Sequence, residues 1–454
     1  MMASEVFCIP VADNWLVFAP LCRTAAAVNK AATISLCRAI RDGHLPVDTP
    51  GPVQQLVSEL RTEVPRPGVP TGPARPPFLG LILTRGCNSA CHYCDFGANE
   101  AESPMDARLI CQAIDGWIRW IGESGGSDLD LRFFGGEPFI EPDLVEIAVH
   151  RSRYLAGSRG LSLHVEATTN GLLGPRMLGF VEDHFDAIVL SLDGPAEHHD
   201  LHRPLRGSAG SFAGVWKTAE ALSRSHVKLC LRCCVSAATV AGVPQTARWF
   251  IERLRPEVIT FEAMRATEQS DAAGLKPPEP LQFARAFVDA WLQARAAGIQ
   301  CVYAPLFDQP RLTFCPVGED TFIVAPDRSV RSCYLRKRDW ESKGLDLAIG
   351  HVQPDEQLCI DPSAVQRLRG LVAEKARCRS CFCRWSCAGG CLVHETPPGH
   401  RSEYTDFCRQ TRLLQACVLL HDLGLPEQAA KLIGDVDAVH RLWEQGDDRL
   451  EAVT

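Results

Sequence analysis

RGCNSACHYCDFG (residues 85–97) follows a short apolar run, FLGLILT (78–84), and puts Cys87, Cys91 and Cys94 on one loop in the spacing C-x3-C-x2-C. Thiolates select soft metals, and three of them on one loop leave a position of the metal group open to another ligand. The spacing is too tight for an extracellular disulfide framework, and three thiols are too few for a closed zinc site. A loop directly after a strand sits at the strand's carboxyl end, where parallel α/β sheets bind ligands.

Working outward, further apolar runs stand at 129–134, 161–168, 186–192, 227–235 and 257–263, with helical patterns between them at 106–121, 213–224 and 281–297. Six strand-helix units imply a parallel sheet covered by helices, and right-handed crossovers curl such a series toward a barrel. The expected class is α/β, a partial (β/α)6 TIM-like barrel over 78–300. Before it, residues 1–60 read as a small N-terminal α+β module. FCIPVADNWLVFAPL carries a hairpin signal around Ala12-Asp13-Asn14, and TAAAVNKAATISLCRAI carries helix formers. Repeated prolines make 61–77 a semi-rigid linker. Residues 301–411 lose periodicity and gain cysteines, and 412–454 read as two amphipathic helices broken at Gly424 and Pro426.

The chain has 454 residues, 21 cysteines, a formal charge of -8 and a pI near 6.0. That charge argues against a nucleic-acid partner held by a strongly basic surface. No apolar stretch is long enough to span a bilayer, and the N-terminus lacks a signal-peptide pattern, so no membrane partner and a cytoplasmic location are expected. In that compartment dense cysteine points to metal rather than to disulfides.

The three-cysteine loop, with Tyr93 before its last cysteine, resembles the radical SAM superfamily. The resemblance implies a 4Fe-4S cluster on Cys87, Cys91 and Cys94 whose open iron is chelated by S-adenosyl-L-methionine. Reductive cleavage of that cofactor gives a 5'-deoxyadenosyl radical, which takes hydrogen from a substrate. FFGGEP (133–138) ends the second strand, TTNG (168–171) the third and SLDGP (191–195) the fourth. Gly135 and Gly136 would let backbone approach a ligand, and Glu137 would pair with the methionyl ammonium. Asn170, Ser191 and Asp193 would serve the ribose and carboxylate, although such residues also serve as turn and cap residues.

CRSCFCRWSCAGGC holds Cys378, Cys381, Cys387 and Cys391 in the spacing C-x2-C-x5-C-x3-C, with Cys315 and Cys333 upstream and Cys408 downstream. This resembles the SPASM extension, which carries two auxiliary 4Fe-4S clusters in many peptide-modifying radical SAM enzymes. The resemblance assigns Cys378, Cys381, Cys387 and Cys408 to one cluster and Cys315, Cys333 and Cys391 to the other. Structural zinc is the alternative for C-x2-C pairs. CPVGEDTF (315–322) supplies no further cysteine, so the second set has an open iron or borrows Cys383 or Cys359. Tyr334 stands where sulfatase-maturing relatives have an acidic base, and Arg328 where many relatives have a turn glycine. Cys8, Cys22, Cys37, Cys230, Cys233, Cys234 and Cys417 read as small core residues. His198 and His199 read as the start of a helix. The motifs assign no catalytic acid or base.

The resemblance implies a maturase that crosslinks a ribosomally made precursor peptide, carbon to carbon or carbon to sulfur. Its partners would be the precursor with its leader and an external one-electron donor such as flavodoxin or ferredoxin. Peptide epimerisation and formylglycine formation are the enzymatic alternatives, and an iron-sulfur or zinc peptide-binding scaffold the non-enzymatic one. The N-terminal module would either clamp the leader by strand addition or cap the barrel.

Overall fold

In the computed structural model all six expected barrel strands form: β4 (Phe78–Ile82), β5 (Asp128–Phe134), β6 (Ser162–Thr169), β7 (Ala187–Ser191), β8 (Lys228–Val235) and β9 (Val258–Ala263). The structure describes residues 5–42, 49–60, 62, 64–74, 78–96, 103–123, 125–307, 309–315, 321–355, 358–371, 375–395 and 404–449. Gly97 of the cysteine loop and 316–320 of the CPVGEDTF segment lie outside them. The helices α3 (Ala107–Glu123), α4 (Pro142–Arg159), α5 (Pro175–His184), α6 (Ala196–His202), α7 (Phe212–Leu222), α8 (Val243–Arg253), α9 (Glu268–Ala272) and α10 (Pro280–Ala296) alternate with the strands. All neighbouring barrel strands pair in parallel, as the crossovers require.

The sheet is wider than the periodicity implied. A short β10 (Gln300–Val302) adds in parallel beyond β9, and β11 (Thr321–Val324) pairs in parallel with β4, Thr321 opposite Phe78. From β11 the antiparallel strands β12 (Ser329–Arg331), β13 (Ala348–Val352) and β14 (Leu358–Ile360) extend the same sheet to eleven strands among the described residues. The cysteine-rich region is therefore built onto the edge beside the three-cysteine loop. The hairpin between β11 and β12 turns at Arg328, whose φ of 67° is a left-handed conformation costly for a residue with a Cβ. Its side chain offsets that cost, with Nη2 donating to Gln112 Oε1 at 2.8 Å and Nε to the Val352 carbonyl at 2.9 Å. Arg328 thus ties the hairpin to α3.

The N-terminal module is a three-stranded antiparallel sheet, β1 (Phe7–Val11), β2 (Asn14–Ala19) and β3 (Thr24–Val28), followed by α1 (Lys30–Asp42) and α2 (Gly51–Leu60). The TAAAV stretch, expected to begin the helix, is a strand: pairing with β2, Phe18 opposite Ala25, outweighs alanine's helix propensity. Val6, Cys8, Val17 and Leu36 form the module's own core, while Phe7, Ile9, Leu16 and Phe18 face the main body. The proline-rich segment is strapped down, with Arg369 Nη1 donating to the carbonyls of Pro70 and Gly72 at 3.1 and 3.0 Å, and Trp120 Nε1 to that of Ala74 at 2.9 Å.

Three helices form the tail: α14 (Asp406–Asp422) runs through the expected boundary at 412, and α15 (Pro426–Gly434) and α16 (Val436–Glu444) follow. The segment after α16 joins module to extension. Asp448 is fully buried; its backbone carbonyl accepts from Cys8 N at 2.7 Å, and its carboxylate accepts from Phe382 N at 3.1 Å and pairs with Arg412. Among the described residues no helix is long and apolar enough to cross a membrane.

Candidate active site

The root of the cysteine loop and the turn after β5 lie backbone to backbone. Gly136 N donates to the Thr84 carbonyl at 2.9 Å and Glu137 N to the Gly86 carbonyl at 2.8 Å. A Cβ on Gly136 would stand 1.9 Å from the Gly86 oxygen, and one on Gly135 2.6 Å from the Thr84 oxygen. The close approach that makes glycine necessary is thus to the loop itself, while both glycines also face the cavity. In Gly136→Ala no side-chain rotation relieves a clash with main-chain oxygens. Destabilisation of roughly 1–3 kcal/mol is expected in denaturant unfolding, and wild-type stability in that variant would contradict this packing.

Glu137, 2% exposed, is a three-way acceptor. Its Oε1 accepts from Thr169 Oγ1 (2.8 Å) and Phe139 N (3.2 Å), and its Oε2 from Asn170 N (2.6 Å). Burial pushes its pKa up to about 7 against the pull of those donors. Asn170 carries the connection onward: its Nδ2 donates to Asn88 Oδ1 at 2.6 Å and Ser89 Oγ at 3.2 Å and lies 3.6 Å from Cys87 Sγ. The ends of β5 and β6 therefore position the thiol-bearing loop.

Asp193 is placed differently from the expectation. It lies behind the cavity wall, 1% exposed, with every side engaged. Tyr93 OH donates to its Oδ2 at 2.7 Å, Arg203 Nε donates at 3.0 Å, His202 Nδ1 stands 3.3 Å away, and Cys234 N donates to Oδ1 at 2.9 Å. Burial alone would raise its pKa, but Arg203 and His202 outweigh it and hold the carboxyl well below the usual range. Asp193 is thus a positioning residue that fixes Tyr93 and Arg203. Tyr93 and Ser191 do line the cavity.

Arg203, which the motifs did not single out, lies over the Tyr93 ring, 5.2 Å from its centroid, with Nη1 3.8 Å from Cys91 Sγ. The segment around it holds the loop by its backbone: Ala90 N donates to the Pro204 carbonyl (2.8 Å) and His92 N to the His202 carbonyl (2.9 Å). His198 and His199 fall in α6 as expected, and His199 is buried with Nε2 2.9 Å from Ser211 Oγ.

A cavity of about 710 Å³ joins this site to the extension. The β4–β7 half of the barrel contributes the three loop thiols, Glu137, Asn170 and Ser191. The opposite half and the extension contribute Arg232, Glu262, Arg265, Tyr303, Glu395 and Phe407. Cys234, expected as a core residue, is on this wall, whereas Cys233 is buried behind it. Tyr334 is not on the wall. It packs against Phe134 at 4.7 Å between ring centroids, and its hydroxyl lies over Gly80.

The second cysteine field sorts into two groups. Burial pushes the Cys378 thiol up to about 11, with Cys381 and then Cys408 adding to it; Cys387 is raised by burial and by Cys408, Cys378 and Cys381. Cys333 is raised by burial and then by Cys315 and Cys391. Cys383 lies with the first group, hydrogen-bonded to Cys381. Cys359 lies on β14, paired opposite His351. Buried cations face these thiols: Lys375 Nζ donates to the Gly389 carbonyl (2.6 Å) beside Cys378, and Arg412 Nη1 stands 3.7 Å from Cys381 Sγ.

The donor chemistry fits iron-sulfur groups. At the first loop Ser89 N, 3.4 Å from Cys87 Sγ, Asn170 and Arg203 aim N–H groups at sulfur, which stabilises thiolate ligands. Among the described residues no three His, Cys, Asp or Glu side chains converge as a single ion requires.

Residues 81–247 match the Radical SAM superfamily. The chain is similar to the cysteine-type anaerobic sulfatase-maturating enzyme of Clostridium perfringens (strain 13 / Type A), 22% identical over 227 residues, 48% of this chain and 61% of that protein. It thus spans about three fifths of that relative's length. It is also similar to the PqqA peptide cyclase of Ruegeria pomeroyi, 26% identical over 319 residues, 66% of this chain and 78% of that protein. Among solved structures, anSMEcpe with bound AdoMet and Cp18Cys peptide shares the fold, at a TM-score of 0.60 and 18% identity over 80% of this chain and all of that one.

Proposed function

We propose that this chain, which carries a radical SAM domain over residues 81–247, is a maturase that oxidises a ribosomally made peptide and closes a carbon–carbon or carbon–sulfur crosslink within it. One observation carries the reading: the cavity beside the three-cysteine loop is walled on its far side by the extension, at residues 393–395 and 405–407. A substrate there would lie between the site of hydrogen removal and the extension that carries the second cysteine field, whose thiols stand behind that wall. When bound, S-adenosyl-L-methionine and the reduced cluster on Cys87, Cys91 and Cys94 supply an adenosyl radical, and clusters on the two thiol groups of the extension supply an electron acceptor. The chain's own residues do the rest. Glu137 and Ser191 receive the cofactor's polar groups, Asp193 and Arg203 fix the loop, and Phe96, Phe134 and Phe407 exclude water from the reacting carbon.

The relatives' names support a peptide substrate, and the sulfatase-maturating relative favours a second reading, oxidation of Ser or Cys to formylglycine. Tyr334, turned away from the cavity, weighs against the base used in that branch. Mass spectrometry of a precursor peptide encoded beside the gene, incubated with reconstituted protein, cofactor and reductant, separates the two. Loss of two hydrogens without reactivity toward hydrazide supports the crosslink, and an aldehyde-reactive product supports the alternative.

The leader would add to β3. The outer edge of β1 is taken by the tail, with Cys8 N bonded to Asp448 and Phe7 bridged to Arg449, and β2 is central, so strand addition to this module falls to β3. Successive N–H groups of a strand face opposite edges, so of Ala25→Pro and Ala26→Pro one removes an outward donor and the other a donor to β2. The first should weaken peptide binding about tenfold, near 1.4 kcal/mol, with little change in melting temperature. The second should lower the melting temperature. Equal peptide affinity in both variants and wild type would favour the capping role.

A further inference from the structure

A crosslink of this kind releases a proton, and the cavity wall offers five carboxylates to take it: Asp95, Glu137, Glu262, Glu395 and Asp406. Four are committed. Glu137 accepts its three hydrogen bonds, Asp95 faces His394 at 3.7 Å, and Glu395 lies 3.6 Å from Arg265 and accepts from Thr405 Oγ1 at 3.0 Å. Asp406 is in the first turn of α14, paired with Arg409 and 71% exposed.

Glu262 differs from all four. It stands at the carboxyl end of β9, across the cavity from the cysteine loop, and no described side chain hydrogen-bonds its carboxylate. Among the described residues it is the Ala304 backbone that donates to it, with the guanidinium groups of Arg232 and Arg265 nearby. We propose that Glu262 is the proton acceptor of ring closure. This rests on the crosslinking reading above. One substrate C–H bond breaks and its hydrogen atom leaves to the 5'-carbon of the cofactor fragment. The new C–C or C–S bond forms as a second C–H or S–H bond gives its proton to a Glu262 carboxylate oxygen. The remaining electron goes to an iron-sulfur acceptor of the extension. Burial pushes the Glu262 pKa upward while the two arginines pull it down, so the group is more basic than an exposed carboxylate yet near cations that favour its charged form.

The test uses reconstituted enzyme and the peptide that the wild type crosslinks, deuterated at the attacked carbon. In Glu262→Gln, crosslink formed per deuterium delivered to 5'-deoxyadenosine should fall about a hundredfold, the low end of what a positioned base contributes. The peptide Kd, titrated without cofactor, should stay within about twofold. Glu262→Asp should restore part of the ratio, and deuterium delivery in each variant reports a folded site. If the wild type crosslinks and Glu262→Gln keeps the ratio, the assignment fails and the reading of the reaction stands. A loss of Kd parallel to the loss of crosslink would make Glu262 a substrate-binding group and also overturns the assignment. A wild type that crosslinks no peptide overturns both.

Discussion

Replacing Cys87, Cys91 and Cys94 together by alanine is expected to remove about a third of the iron of the anaerobically reconstituted protein and all production of 5'-deoxyadenosine. With three four-iron groups the wild type should carry roughly twelve irons and twelve sulfides. The selectivity of the loss follows from what holds the loop. Its anchors are main-chain bonds, from Ala90 to Pro204, His92 to His202 and Gly136 to Thr84, together with Asn170 on Asn88 and Ser89. None requires a thiol, so the triple variant should keep the fold and the iron of the extension. Iron analysis with chromatographic assay of 5'-deoxyadenosine decides the matter. Surviving cofactor cleavage would defeat the loop assignment, and stoichiometric zinc with little iron in the wild type would defeat the extension as an iron-sulfur domain.

What was legible in the sequence is what local chemistry determines. The six barrel strands are apolar runs bounded by turn residues, and each motif at a strand end comes to the cavity because parallel strands share one carboxyl edge. β10 to β14 were not legible, because strands of three to five residues, β11 buried throughout and the others mixed, are too short for a periodicity to register. β3 was misread because TAAAV is helix-forming on its own and becomes a strand only against β2. At the site, Asp193 was read as facing the cofactor because it ends a strand beside Ser191. Its partners His202 and Arg203 come from the end of α6 and the turn after it, nine and ten residues on, and only the way α6 folds back on the strand end turns them onto the carboxylate. Arg203 left a faint signal, a cation in EHHDLHRP shortly after an acidic strand end. Glu262 left none, since a single carboxylate in VITFEA looks like an ordinary inward-facing residue.

Glu137→Gln and Cys387→Ala should separate the cavity from the cysteine field behind its wall. Glutamine is isosteric with glutamate but removes the charge that would meet the cofactor's ammonium, an interaction worth on the order of 1.5–3 kcal/mol. Cofactor affinity should therefore fall roughly ten- to a hundredfold, since about 1.4 kcal/mol is tenfold. The substitution has a second cost. The two carboxylate oxygens accept from three donors, so the amide nitrogen must face either Asn170 N–H or the Thr169 and Phe139 donors. That leaves one buried donor opposed to another, and a loss of about 1–3 kcal/mol of stability should accompany the loss of affinity. Iron content should hold, because the loop keeps its main-chain anchors. Cys387 is not on the cavity wall; it is buried in the extension beside Cys378, Cys381 and the half-buried Cys408, and no hydrogen bond links it to the Glu137 network. Cys387→Ala should lose iron from the extension and bind the cofactor as the wild type does. Equilibrium titration of S-adenosyl-L-methionine and iron analysis on the two proteins suffice. Normal cofactor affinity in Glu137→Gln, or full iron in Cys387→Ala, would show that the cavity and the cysteine field behind it do not hold the separate groups assigned to them.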